Sequence, residues 1–301
     1  MRIATRKSRL ALWQSEHVAS CLRTAHPGLE VDLLPMSTRG DEVLDRSLAE
    51  IGGKGLFLKE LEKALLDGSA DIAVHSLKDV PAESPPGLTL AAVLPRASWV
   101  DLWLSRDGRS PAEMADGSRV GTSSLRRQSQ LLRLFPGLSV VPVRGNVETR
   151  LNLMKSGQVD AVILAAAGLE RLDLEIEHRQ DLLPPDFLPA PGQGVIVVQC
   201  RDQDHGAREL LDAINCQQTA LQVGAERGVV AALGGDCRMP LAALARHEDG
   251  QIRLDARLTS PDGSECIDVT VSGADADSGR LGSQAGREIL DRGGMRILSQ
   301  L

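Results

Sequence analysis

A chain of 301 residues with 42% apolar residues can fill two or three hydrophobic cores, which excludes wholesale disorder. Acids outnumber bases 41 to 34, and the net charge of −7 repels polyanions; with aromatics at 2% and no tyrosine, base-stacking platforms are also scarce, so nucleic acid is excluded as the main partner. The five cysteines, Cys21, Cys200, Cys216, Cys237 and Cys266, are odd in number and widely spaced with no CxxC, which points to a reduced chain without a disulfide scaffold or zinc site.

In chain order, "MRIATRKSRLALWQSE" is basic but has only four apolar residues in a row, so no signal peptide is expected. "RIAT" reads as a strand, and the helix after it places Leu10, Trp13, Val18 and Cys21 on one face. "LEVDLLP" alternates like a strand. "EIGGKGLF" (50–57) is glycine-rich and basic but lacks the GxxxxGK[ST] spacing of a phosphate loop; it reads as a loop leading into a helix, a candidate lid. "FLKELEKALLDG" gives Phe57, Leu61, Ala64 and Leu65 helical spacing up to Gly68, and "ADIAVHS" and "LTLAAVL" are strands again.

The rhythm then repeats. "DLWLS", "SRVGTSS", "LSVVPV" and "VDAVILAA" read as strands, with the helices "SLRRQSQLLRLFPG" and "NVETRLNLMKSG" among them, each opening on a capping residue. The longest apolar run, "AVILAAAGL", is far too short to span a bilayer, and a soluble, cytoplasmic protein is expected. Pro/Gly-rich joints fall at 94–98 and 188–194. Beyond residue 217 the texture changes to one helix, two alternating runs with hairpin spacing, and a final helical stretch. The expected fold class is α/β, with two doubly wound, parallel-sheet domains and a smaller α+β C-terminal domain. The expected domains are 1–94 with 195–216, then 95–194, then 217–301.

Residues 119–150 hold six arginines (Arg119, Arg126, Arg127, Arg133, Arg144, Arg150) against one acid, Glu148. Arginine's planar fork grips carboxylates and phosphates in fixed geometry, and "GTSSLRRQ" puts Ser123 and Ser124 at an anion-favouring helix start. A multiply charged anionic ligand is expected; structural ion pairs on a solvated helix face are the plain alternative. "HSLKDVP" sets Lys78 and Asp79 at a strand end before Pro81, where Asp79 either handles a proton or simply caps its own turn. Cys237, in "LGGDCRMP", is either an exposed nucleophile on a glycine-rich loop or a passive small residue; no histidine adjoins it.

"RIATRKSRLALWQ", "TRGD", "GGKGLFLKELE", "DIAVHSLKDVP", "VGTSSLRRQSQL", "VRGNVETRL", "ILAAAGLERL", "LPAPGQG" and "AERGVVAALGGDCRMPLA" occur here in the order and spacing of the porphobilinogen deaminase (hydroxymethylbilane synthase) family, which the chain resembles along essentially its whole length. The resemblance implies two periplasmic-binding-protein-like α/β domains flanking a cleft, and a third domain carrying a covalent dipyrromethane as a thioether, here on Cys237. It implies head-to-tail joining of four porphobilinogen molecules with release of ammonia, no metal, a monomer, and a product passed to uroporphyrinogen-III synthase. By motif match, Asp79 is the catalytic acid. Arg126, Arg127, Lys78, Ser124 and Ser76 hold the cofactor; Arg6, Ser8, Arg144, Arg150, Arg171, Lys54 and Phe57 serve the substrate.

Two positions depart from the family pattern. Asp236 precedes the anchor where a small residue is usual, and a carboxylate there would raise the thiol's pKa. Val100 stands where an arginine is common, although Asp101 remains. The main rival is a non-enzymatic anion-binding module of the same architecture, which would need the arginines but neither Asp79 nor Cys237.

Overall fold

The computed structural model describes residues 1–37, 58–235 and 239–301. Lys54, Phe57, Asp236, Cys237 and the glycine-rich stretch 50–57 lie outside the described residues.

The chain opens with β1 (Arg2–Arg6), α1 (Arg9–Ala25), β2 (Asp32–Met36), α2 (Lys59–Leu66), β3 (Ile72–Ser76) and β4 (Leu88–Val93). Next come β5 (Asp101–Ser105), β6 (Arg119–Gly121), α3 (Leu125–Leu134), β7 (Ser139–Val141), α4 (Val147–Lys155), β8 (Ala161–Ala165), α5 (Ala166–Arg171) and β9 (Arg179–Leu182). The remainder is β10 (Ile196–Arg201), α6 (His205–Asp212), α7 (Gln217–Ala232), β11 (Leu241–Glu248), β12 (Gln251–Thr259), β13 (Cys266–Gly273), α8 (Ser278–Ile289) and α9 (Met295–Leu298). Two compact units emerge: 1–97 with 195–220, and 98–194 with 221–301.

The first unit is built on a five-stranded sheet ordered β2-β1-β3-β10-β4. Its strands β1, β2 and β3 are parallel, but β10 runs antiparallel to both β3 and β4. The sheet is therefore mixed, parallel in β1, β2 and β3 and antiparallel at β10. Ile196 pairs with Ser76, so β10 enters at the C-terminal edge of β3, and a strand entering there can only run back. α1 covers one face, packing Val18, Ala19 and Leu22 on Ile3, Val74 and Val198. α2 covers the other with Leu61, Ala64 and Leu65 on Ala4 and Ala73.

The buried face of α1 is Gln14, Ser15, Val18, Ala19 and Leu22, about one position round from the face expected. Trp13 is 39% exposed and Cys21 only half-buried. The sheet in this region has polar positions to satisfy near its edge, and Gln14 turns inward to donate to Ser76 Oγ at 2.8 Å.

The second unit holds a matching sheet ordered β7-β6-β8-β5-β9, in which β6, β7 and β8 are parallel and β5 is antiparallel to β8 and β9. It also holds the three-stranded antiparallel sheet β11-β12-β13, one strand more than the hairpin expected. That small sheet is backed by α7 and α8 through Ala225, Val229, Leu281, Ala285 and Ile289. The architecture is a mixed α/β protein with two five-stranded sheets and a small C-terminal sheet. Among the described residues no helix is long and apolar enough to cross a membrane, and no cluster of side chains could hold a metal ion.

Candidate active site

In doubly wound sheets, ligands bind beyond the C-terminal ends of the strands, where loops and helix N-termini are free of the ladder. The first unit gathers its candidate residues at that edge. Arg6 ends β1, and Ser8 follows as the N-cap of α1, its Oγ accepting from Ala11 N at 3.3 Å. Ser76 ends β3, and a single 3-10 turn, Leu77–Asp79, carries Lys78 and Asp79. Leu77 is buried and its N–H donates to Val195 O, which pins the turn, while Asp79 is exposed. Val80 N closes the turn on Leu77 O, and no hydrogen bond to the Asp79 carboxylate is found among the described residues.

Beneath the turn lies a residue that the sequence reading did not single out. His75 is 7% exposed, and its Nε2 is 3.0 Å from Gln199 Oε1 on β10. Burial pushes the imidazole down to about 4; Gln199 and Asp79 pull it upward and Arg6 pushes it further down. Gln199 Nε2 donates in turn to Glu62 Oε1 on α2 at 3.5 Å, and burial raises the Glu62 carboxyl against the pull of Gln199 and Lys59.

The second unit repeats the arrangement with arginines. Ser124 caps α3 just past β6, accepting from Arg127 N at 3.4 Å. Arg144 follows β7, half-buried; Arg150 lies in the first turns of α4, its Nε donating to Gly145 O at 3.1 Å. Arg171 ends α5 just past β8 and donates to Gly194 O at 2.7 Å.

Arg126 and Arg127 are buried and converge on one carboxylate. Arg126 Nη1 is 2.7 Å from Asp101 Oδ2, and Arg127 Nη2 is 2.6 Å from Asp101 Oδ1. Arg127 also donates to Ile163 O and Arg126 to Leu188 O. Burial alone would raise the Asp101 carboxyl; the two guanidiniums outweigh it and hold it far below the usual carboxylate range. Asp101 reaches this edge because β5 is antiparallel, pairing Asp101 with Ala165 at the end of β8.

Two cations on one anion leave a buried excess of positive charge, the donor chemistry that a carboxylate-bearing group such as dipyrromethane fits. The pair is a structural ion pair, but a buried one with Asp101 of β5 rather than one on a solvated helix face.

The loop 188–194 is fixed by several polar ties beyond the Arg126 bond to Leu188 O. Gln130 brackets Leu188, accepting from its N–H at 2.8 Å and donating to its carbonyl at 2.9 Å. Fully buried Glu226 accepts from Gly192 N at 2.7 Å and from Ala245 N at 2.8 Å. Gln193 donates to Asp101 Oδ1, and Arg171 to Gly194 O. Asp101, Gln130 and Glu226 were not read as site residues. The signal available was a charged or amide side chain inside an otherwise apolar pattern, which marks a buried partner without naming it.

Comparison with known proteins gives the same reading along the whole chain. Residues 1–209 match the model described as "Porphobilinogen deaminase, dipyromethane cofactor binding domain", and residues 220–291 match "Porphobilinogen deaminase, C-terminal domain". The chain is 50% identical over 301 residues to the porphobilinogen deaminase of Xanthomonas axonopodis pv. citri (strain 306), covering 100% of this chain and 99% of that protein. It is 49% identical over the same span to that of Xanthomonas euvesicatoria pv. vesicatoria (strain 85-10). Among solved structures, the periplasmic VFT2 domain of Bordetella pertussis BvgS is similar with a TM-score of 0.43 and 15% identity, over 71% of this chain and 86% of that one. The chain belongs to the porphobilinogen deaminase family.

Proposed function

We propose that the chain is the transferase that joins four porphobilinogen molecules head to tail on a covalent dipyrromethane primer, yielding hydroxymethylbilane. Family membership over the whole chain carries this reading. In each addition the aminomethyl C–N bond breaks and ammonia leaves. A C–C bond forms to the free α-carbon of the terminal pyrrole, which loses its proton, and water finally frees the product. When attached, dipyrromethane supplies the free pyrrole α-carbon that receives the first unit, and Cys237 is the anchoring thiol by motif match.

The chain's own residues divide the work. Every pyrrole unit brings an acetate and a propionate. Arg6, Arg144, Arg150 and Arg171, with Ser8, Lys54 and Phe57, receive those of the incoming units; Arg126, Arg127, Lys78, Ser76 and Ser124 receive those of the primer. Asp79 assists departure of the amine, stabilises the positive charge on the pyrrole nitrogen, and takes the proton released after bond formation. Its exposed position on the turn that ends β3 supports that role. The division into 1–94 with 195–216, 95–194 and 217–301 belongs to the same reading, supported by three separate sheets. So do a cytoplasmic location, a monomer, and transfer of the product to uroporphyrinogen-III synthase, which rest on the family resemblance.

The test is the intact mass of the protein purified from a haem-competent host. An excess equal to two linked pyrrole units is expected, and Cys237→Ala should remove it. An unmodified wild-type chain would contradict the reading and favour the anion-binding module.

A further inference from the structure

The strands of the first unit place a second titratable group beside Asp79. β3 alternates its faces: Val74 packs with the α1 cluster and Ala73 with the α2 cluster, so His75 shares the α2 face with Ala73. β1 pairs Ile3 with Ile72 and Ala4 with Ala73, and continuing that register brings Arg6 level with His75. On the other side, Gln199 pairs with Ala73, so it lies on the same face, diagonal to His75. Among the described residues, the charged groups facing the ring are therefore Arg6 from β1, Asp79 from the turn, and Glu62 from α2, the last through Gln199 and with Lys59 at its side. From α1, Gln14 engages Ser76 on the opposite face.

An amide oxygen can only accept, and Gln199 Oε1 lies 3.0 Å from His75 Nε2; that nitrogen therefore carries the ring's proton and Nδ1 keeps a lone pair. Gln199 is oriented this way because its amide nitrogen donates to Glu62. A glutamine offers a hydrogen bond without a counter-charge, so nothing at Nε2 compensates an imidazolium in this buried position.

We propose that His75 is a positioning residue for the reaction: locked to Gln199 as the neutral Nε2–H tautomer, it borders the Asp79 turn with an uncharged wall and keeps one further cation away from the carboxylate. The proposal rests on the assignment of Asp79 to proton handling. An imidazolium at this place would pair with the Asp79 carboxylate and weaken its hold on the cation that develops on the substrate. Binding of the substrate's carboxylates by the arginines would be left largely as it is. The signature is therefore a loss in kcat, tied to the protonation of His75, with KM little changed.

The experiment has two arms. In the first, nitrogen-15 spectra of the histidine-labelled holoenzyme are followed between pH 5.5 and 8. A neutral Nε2–H ring throughout is expected for His75; an imidazolium or the Nδ1–H tautomer at pH 7 overturns the proposal. This arm needs no variant. In the second, Gln199→Glu places a carboxylate at Nε2. His75 is expected to become cationic at pH 7, and kcat to fall about tenfold or more with KM within about twofold, the loss deepening as pH falls. A ring that stays neutral, or one that becomes cationic while kcat is unchanged, overturns the proposal. Asp79→Asn separates the two claims. Retained turnover there removes Asp79, and the role proposed for His75 with it, even where the tautomer stands. A wrong tautomer removes His75 alone.

Discussion

At the scale of single residues, two buried titratable groups give the protein its expected response to acid. His75 is held near 4 in the folded chain against an ordinary value of 6.5, so between those values the unfolded chain binds the extra proton. Stability should therefore decline as pH falls from 6.5 to about 4, by about 3 kcal/mol at the bottom of that window, and flatten below it for this group. Denaturant unfolding of wild type and His75→Gln across pH 4–7 checks this: the variant should lose most of that slope. Asp101 acts in a lower window. Its folded carboxyl is depressed below the ordinary 3.8, so the stability it contributes is complete above that value and is lost as pH falls further.

Removing the Asp101 charge has a larger consequence than pH. Asp101→Asn would leave Arg126 and Arg127 buried with no anion, and about 3–5 kcal/mol of destabilisation of the second unit is expected in thermal or urea unfolding. A loss below about 1 kcal/mol would mean that the two guanidiniums find other partners. The sequence could announce that an arginine pair exists, since a single acid among six arginines is visible by counting. It could not say that Asp101, about two dozen residues upstream, is the shared counter-ion. That depends on β5 running backwards, which no local pattern encodes. His75 was hidden for the same reason: its partner Gln199 is set by a strand pairing across 124 residues of chain.

At the scale of elements, the βα rhythm was legible wherever the pattern was local. Ser124 and Asn146 cap the helices expected to open on them, and β1, β3, β6 and β8 lie where short apolar runs end in polar residues. β10 was missed because "VIVVQC" is apolar throughout, as a strand buried on both faces must be, and so shows no alternation. β9 is nearly all exposed and has no apolar signature to read.

The helix pair behind the small sheet gives a further test at this scale. A Cβ on Gly282 of α8 would collide with Ala225 O and with Gly228 of α7, so this crossing tolerates no side chain. Gly282→Ala should therefore destabilise the chain by about 1–3 kcal/mol even though alanine favours helix, measurable as a lowered denaturation midpoint. A neutral or stabilising effect would mean that the helices can move apart freely.

At the scale of the whole molecule, a net charge of −7 coexists with an arginine-rich second unit and a carboxylate on an exposed turn of the first. In the proposed function these features serve one reaction, in which carboxylate-binding arginines hold a growing pyrrole chain and Asp79 manages its protons. Turnover by Asp79→Asn should fall about a hundredfold or more with the fold retained. The most direct measurement is the intact mass of the protein mixed with limiting porphobilinogen, for wild type and Asp79→Asn side by side. Wild type should show a ladder of covalent species above the two-pyrrole form, each step equal to one porphobilinogen less ammonia, and the variant should show no ladder. A wild-type chain that never gains mass, or a variant whose ladder forms as readily, would contradict the account.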